Sequence, residues 1–260
     1  MHTELRHSVT CTLFAAANLY TEIRKWSAQA LFAVLIPLIV AAPAAAAVDT
    51  FPEFDATYTV RYGILRGTMD LHLRHRENGF DYETSLQPRG IVTLFRRGMI
   101  TEKTALVNAD DTVRPLDYES TDTIADPVRH TRYRFGGDRV TGEYKSRSID
   151  EPMQPNGHNR ISVQVAIMLA LRLGKEMNEV SVFDRARWKS YQFEVLPNRI
   201  LELSTGTYNA IEVRYASPGS TKNWSLYVAP ELSYLPVMLV YREDQKIKSS
   251  AELDSYRISP

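Results

Sequence analysis

The stretch Phe54-Asp55-Ala56-Thr57-Tyr58-Thr59-Val60-Arg61-Tyr62 decides the fold class. Apolar and polar residues alternate along it. An extended chain therefore sets Phe54, Ala56, Tyr58, Val60 and Tyr62 on one face and Asp55, Thr57, Thr59 and Arg61 on the other. A period of two is the mark of a strand with one buried side. Gly63 closes the run. The pattern resumes in Thr68 to Arg74, with Met69, Leu71 and Leu73 pointing inward. Glu77-Asn78-Gly79 then supplies a hairpin turn, because Asn-Gly readily takes the positive φ angles that a tight turn requires. Phe80 to Thr84 returns as the next strand, so the opening of the domain reads as a meander.

The same reading continues downstream. Thr101 to Val107 is a strand, and Val113 to Glu119 is an edge strand because Pro115 lacks the N–H that a central strand donates. Thr131 to Phe135 and Arg139 to Tyr144 flank Gly136-Gly137-Asp138, a second hairpin turn. Glu151 to Gly157, with Pro152, Pro155 and Asn156-Gly157, reads as a loop. Strand patterns then recur at Glu179–Phe183, Trp188–Leu196, Arg199–Thr205, Asn209–Tyr215, Asn223–Val228, Pro236–Arg242 and Ser249–Tyr256, with turns at Thr205-Gly206-Thr207 and Ser217-Pro218-Gly219.

One segment breaks the period. From Asn159 to Met177 the apolar residues are too continuous for a half-buried strand. Between Ile161 and Leu173 only Ser162, Gln164 and Arg172 are polar, and on a helical projection they share one narrow sector. The remainder, including Ile161, Val165 and Met168, needs cover on nearly every side. Gly174 is a suitable terminator. The expected architecture is mainly β: a strongly curved antiparallel sheet or incompletely closed β-barrel, with one long apolar helix packed in or across it.

The N-terminal segment gives an address. Arg24 and Lys25 precede the apolar run Ala28 to Val40, and the segment ends in Ala44-Ala45-Ala46-Ala47. A charged start, an apolar middle and small residues at the exit are the parts of a secretory signal peptide. Residues 1–47 are therefore expected to be a signal peptide, cut after Ala47 or Ala46, and 48–260 a single exported domain in the periplasm. The leader before Arg24 is unusually long, which fits a start codon assigned upstream of the true one. The alternative is an uncleaved helix anchored in the inner membrane. Pro37 and Pro43 break that helix, and no Lys/Arg cluster follows it. Cys11, the only cysteine, lies inside the leader. The domain beyond it has no thiol for a disulfide, a metal or nucleophilic catalysis.

Lys plus Arg number 31 and Asp plus Glu 31, a balance that excludes nucleic acid as partner, since phosphate recognition needs a basic excess. Of the histidines beyond the leader, His72 and His75 fall on opposite faces of one strand and cannot share a metal ion. His130 reads as exposed, and His158 stands alone. No metalloprotease, nucleophile-elbow or phosphate-cradling motif occurs. Acidic pairs such as Asp110-Asp111 and Glu243-Asp244 sit at turns, where Asp belongs on structural grounds. No cofactor, metal or catalytic residue is expected, and the chain reads as non-enzymatic.

Trp224-Ser225-Leu226-Tyr227-Val228-Ala229-Pro230, followed by Tyr234-Leu235-Pro236-Val237, forms a Trp-containing strand, a turn and a Leu-Pro-Val strand. With the early Tyr58-to-Gly63 strand and the apolar helix, the chain from about Phe54 to Tyr256 resembles the bacterial domain-of-unknown-function family 3108. The same strand–turn–strand arrangement is similar to the lipoprotein-localisation carriers. That likeness implies an incompletely closed barrel holding acyl chains, and hence a hydrophobic groove.

The aromatic and aliphatic residues Tyr58, Tyr62, Ile161, Val165, Met168, Trp188 and Trp224 are the candidates for lining such a cavity. The competing reading is that they fill the core of a large sheet. Leu94-Phe95 beside Arg96-Arg97 makes a mixed apolar–basic loop, suited to anionic lipid or to plain solvent. The leading expectation is an envelope protein holding a lipid or other apolar ligand between sheet and helix. The alternative is an interaction or scaffold module that binds an envelope protein or a glycan.

Overall fold

The computed structural model describes residues 51–90, 93 and 97–259. The expected leader and Leu94-Phe95-Arg96 lie outside the described residues. Sixteen strands form one sheet. They are β1 (Glu53–Tyr62), β2 (Leu65–Arg76), β3 (Gly79–Arg89), β4 (Ile100–Ala109), β5 (Thr112–Pro115), β6 (Asp117–Asp122), β7 (Arg129–Phe135), β8 (Arg139–Tyr144), β9 (Arg147–Pro152) and β10 (Gly157–Asn159). After helix α1 (Ser162–Arg172) come β11 (Glu179–Asp184), β12 (Arg187–Leu203), β13 (Gly206–Ala216), β14 (Lys222–Ala229), β15 (Leu235–Glu243) and β16 (Lys246–Ser259). The order across the sheet is β10-β11-β12-β13-β14-β15-β16-β1-β2-β3-β4-β6-β7-β8-β9, with β5 paired to β4. Only β10 and β11 run parallel, which requires the helical crossover between them.

This sheet has to roll up. Laid flat at about 4.8 Å per strand, fifteen neighbouring strands would span roughly 65–70 Å. Yet its two edges, β9 and β10, are joined by residues 153–156 alone, a link that reaches at most about 18 Å. Side chains hold the seam. The Trp188 indole N–H donates to the Pro152 carbonyl at 2.9 Å, and the Ala186 N–H donates to the Tyr133 hydroxyl at 3.1 Å. Phe183 stacks edge-on against Tyr133, Phe135 and Trp188. The result is an incompletely closed barrel.

The alternation read from the sequence sets its inside and outside. Phe54, Ala56, Tyr58, Leu71, Leu73, Phe80 and Tyr82 are buried, whereas Asp55, Asp70, His72, Arg74, Asp81 and Glu83 point outward. His72 Nδ1 lies 2.6 Å from Asp55 Oδ1, and Arg74 also pairs with Asp55. The hydrogen bond from His72, with that from Arg74, lowers the Asp55 carboxyl below its usual range against the opposing effect of burial. This charged outer face is that of a barrel in water rather than in lipid. Among the described residues, no helix is long and apolar enough to cross a membrane. The turn at Asn78-Gly79 is where expected, and Gly79 cannot be replaced there: at φ +140° a Cβ would lie 2.0 Å from the Leu106 carbonyl oxygen.

Several boundaries differ from the sequence reading. Val113–Glu119 is two strands, divided at Leu116, whose N–H donates to the Ala105 carbonyl. Trp188–Leu196 and Arg199–Thr205 merge into β12, with the register irregular between Leu196 and Arg199. The expected loop Glu151–Gly157 begins inside β9 and ends inside β10, because both segments find partners at the seam.

The long apolar helix is the main correction. Expected over Ile161 to Leu173 with Gly174 as its end, α1 runs from Ser162 to Arg172 and has 11 residues, about three turns rather than a long rod. Asn159 pairs with Phe183 in β10, and its Oδ1 accepts the N–H groups of Ile161 and Ser162 at 3.1 and 2.8 Å. The Ser162 hydroxyl reciprocates by accepting the Asn159 N–H at 2.8 Å, a pair of bonds that locks the turn from β10 into the helix. Gly174, at φ +63°, ends it. Seven of the 11 residues are buried and none is fully exposed. A helix covered on every side lies inside its protein. Here it runs along the inner wall: Tyr82 donates to Gln164 Oε1 at 3.0 Å, Asn159 Nδ2 donates to Thr104 at 2.8 Å, and the Arg172 guanidinium sits over Phe51.

Candidate ligand cavity

Antiparallel strands divide the turns between two ends of the barrel. The β2–β3, β7–β8 and β12–β13 turns mark one end, where the C-terminal part of α1 also lies. The β1–β2, β6–β7, β8–β9, β11–β12, β13–β14 and β15–β16 turns mark the other. Since α1 plugs only the first, the second is the open end.

Above the start of α1 lies a cavity of about 360 Å3. Ile161 and Val163 form its floor. Val60, Met69, Leu71, Leu86, Leu239 and Val240 come from the neighbouring strands β15 and β1 to β3; Val182 comes from β11. Tyr191, Tyr215, Trp224 and Tyr241 form an aromatic lip, with Tyr191 edge-on to Tyr215 and Trp224 against Tyr241 at 4.5 Å between ring centres. Burial raises the pKa of the Tyr215 hydroxyl, and of Tyr191 likewise, so both present neutral phenols to the interior.

A polar cluster divides this space from a side cavity of about 300 Å3, whose lining includes Tyr118, Tyr133, Tyr144 and Phe183. Arg160 lines both. Its Nε donates to Glu102 Oε1 at 2.8 Å and an Nη to Oε2 at 2.9 Å, a bidentate fork. Tyr118 also donates to Glu102 Oε1. Glu102 raises the Arg160 pKa; burial, then Glu102, raises that of the Tyr118 hydroxyl, so both stay protonated as donors. Asp184, on the same lining, is paired with Lys189. Below the cluster, His158 contacts the Ser162 hydroxyl at 3.2 Å, and burial pushes its pKa down to about 4. A larger groove, of about 1170 Å3, lies at the plugged end. Its lining mixes Asp110, Asp111, Asp138 and Glu176 with Val113, Leu116, Phe135 and Met177.

Of the residues singled out from sequence, Ile161 and Trp224 line the cavity. Tyr58 is fully buried beneath it, its hydroxyl donating to the Pro236 carbonyl at 2.7 Å. Val165 and Met168 lie lower on α1, in the core. Trp188 belongs to the seam. Tyr62, expected to face inward, is 59% exposed, because β1 outruns the core at the open end. The sequence reading missed Glu102 and Arg160. Strand parity carried the signal for the first, since Glu102 shares a face with Thr104 and Leu106. Arg160 sits directly before a segment that is otherwise apolar.

The family model described as "Protein of unknown function (DUF3108)" matches residues 53–245, nearly the whole rolled sheet. The chain belongs to this family. No curated protein sequence matches this DUF3108 protein. Among solved structures it is similar to the crystal structure of a beta-barrel-like protein of domain of unknown function DUF1849 from Brucella abortus. The TM-score is 0.55 at 9% identity, over 80% of this chain and 98% of that one. At that identity the likeness concerns the fold alone, and a fold carries many functions. The beta-barrel-like neighbour agrees with the barrel described above and leaves the interior to be read from its own side chains.

Proposed function

We propose that this DUF3108 protein is an exported, non-enzymatic component of the bacterial cell envelope that holds a lipid or other apolar ligand inside its barrel. One observation carries the reading: a cavity of about 360 Å3, walled by aliphatic side chains of β15, β1 to β3 and β11 and rimmed by aromatics. Small-molecule sites span about 300–1,000 Å3 and are mostly apolar with a few convergent polar groups, which Glu102, Arg160 and Gln164 supply here. Glu102 and Arg160 are engaged with each other and Gln164 with the Tyr82 hydroxyl, in keeping with a binding role rather than a catalytic one. The signal-peptide pattern of residues 1–47, cut after Ala47, supports a periplasmic address.

The test is organic extraction of the purified protein followed by mass spectrometry, together with uptake of a fluorescent fatty acid. Bound lipid and saturable uptake are expected. Met69→Trp, which pushes an indole into the cavity from its wall, should lower uptake about tenfold while leaving the melting temperature within a few degrees. Recovery of no lipid, with no uptake, would end the proposal.

A further inference from the structure

The large apolar side chains that the described residues leave exposed are concentrated at the open end. Ile64 is 96% exposed, Ile247 63%, Tyr62 59% and Trp224 41%, with Leu65 and Met99 also bare. Val128 is at this end too, whereas Leu116, Val195, Ile200 and Tyr256 are exposed elsewhere. One continuous rung crosses six strands, pairing Tyr215 with Trp224, Trp224 with Tyr241, Tyr241 with Ser249, Ser249 with Tyr62, and Tyr62 with Leu65. Ile64 and Ile247 project beyond it from the β1–β2 and β15–β16 turns.

The same turns are basic. Arg66, Arg97, Lys145, Arg185, Lys246 and Lys248 are at this end, and its basic residues outnumber its acidic ones more than two to one. The chain as a whole is neutral, so the excess is local. Bare aliphatic and aromatic tips set among Lys and Arg suit the interface of a bilayer, where the tips enter the acyl boundary and the cations meet lipid phosphates.

We infer that the open end of the barrel docks on a membrane surface containing anionic phospholipid. Charge complementarity selects the lipid, and the shape of the patch agrees: separate tips from different hairpins suit entry between headgroups better than they suit a flat protein face. Docked in this way, the protein sets the cavity's aromatic lip against the bilayer, and an apolar ligand passes between them without crossing water. That last step rests on the ligand reading; the docking itself does not.

Hydrogen exchange of the full chain, with vesicles of phosphatidylglycerol and phosphatidylethanolamine or of phosphatidylcholine alone, tests the inference. Peptides spanning 61–66 and 244–248 should exchange at least about fivefold more slowly with the anionic vesicles and not with the neutral ones. The turns at 77–79 and 136–138, at the plugged end, serve as internal controls and should not change. Ile64→Asp/Ile247→Asp should lower flotation with anionic vesicles about tenfold while fatty-acid uptake and melting temperature stay at parental values. Unchanged exchange at the tips overturns the inference, including the case in which residues 1–47 alone hold the chain on the vesicle. Equal protection by neutral vesicles, or a double variant that floats as well as its parent, overturns it too. Uptake retained while docking fails separates this outcome from failure of the cavity reading.

Discussion

Replacing Arg160 by methionine strips Glu102 of its fork. Glu102 is 6% exposed and keeps only the Tyr118 hydroxyl as donor once the two guanidinium bonds at 2.8 and 2.9 Å are gone. Stranding one partner of a fully buried pair costs about 3–5 kcal/mol. The Arg160 side chain is 47% exposed and borders two cavities, so water reaches the gap and part of the loss is screened. We expect a net cost of about 2 kcal/mol. In a domain of this size, that lowers the melting temperature by about 4–8 °C. Glu102→Gln in the Arg160→Met background removes the stranded charge and leaves an oxygen for Tyr118, so it should restore about 1 kcal/mol or more. Urea unfolding at neutral pH, followed by circular dichroism with a shared m value, measures all four corners of the double-mutant cycle. If Arg160→Met costs less than about 0.5 kcal/mol and the coupling vanishes, the cluster is a solvated surface contact and this account of the cavity wall is wrong.

Two further predictions concern the helix and its entry. Met168→Ala opens a void at a residue with no exposure in the middle of α1 and should cost about 2–5 kcal/mol in the same urea titration. His158 has a pKa near 4 in the fold against 6.5 ordinarily, so the unfolded chain takes up its proton first as pH falls. Its contribution is fully present above pH 6.5 and is lost between there and about pH 4, by about 3 kcal/mol at most. Stability measured across that window should slope downward toward acid in the parent and be flatter in His158→Gln.

The fold was legible because its governing signal is local. Alternation from Phe54 to Val60, the Asn78-Gly79 and Gly136-Gly137 turns, and the burial of Leu71 and Leu73 each need only a few neighbouring residues. What escaped depends on pairings remote in sequence. β9 and β10 are strands because the sheet returns on itself, so Pro152 meets Trp188 across a seam that no window of sequence contains. Tyr62 had the right parity and the wrong place: periodicity says which face a residue takes, not where along the strand the core ends. Glu102 and Arg160 are 58 residues apart, and only the position of α1 inside the barrel brings them together.

The helix that proved shorter than its apolar run is also what leaves room for a ligand. At about 1.5 Å per residue, 11 residues extend about 16 Å. A ten-residue strand such as β1 is about 33 Å long, and less along the axis once tilted in a barrel. Only a helix about twice as long as α1 would fill the interior from end to end. The reciprocal bonds of Asn159 and Ser162 turn the chain into α1 partway along the barrel, and pairing of Gly157–Asn159 with β11 holds that start in place. The apolar side chains above it, Val60, Met69, Leu86 and Leu239 on neighbouring strands and Val182 on β11, are then left around an open space. Two polar side chains at the head of one helix thus decide that this barrel has a cavity, and that the cavity lies toward its apolar, basic end.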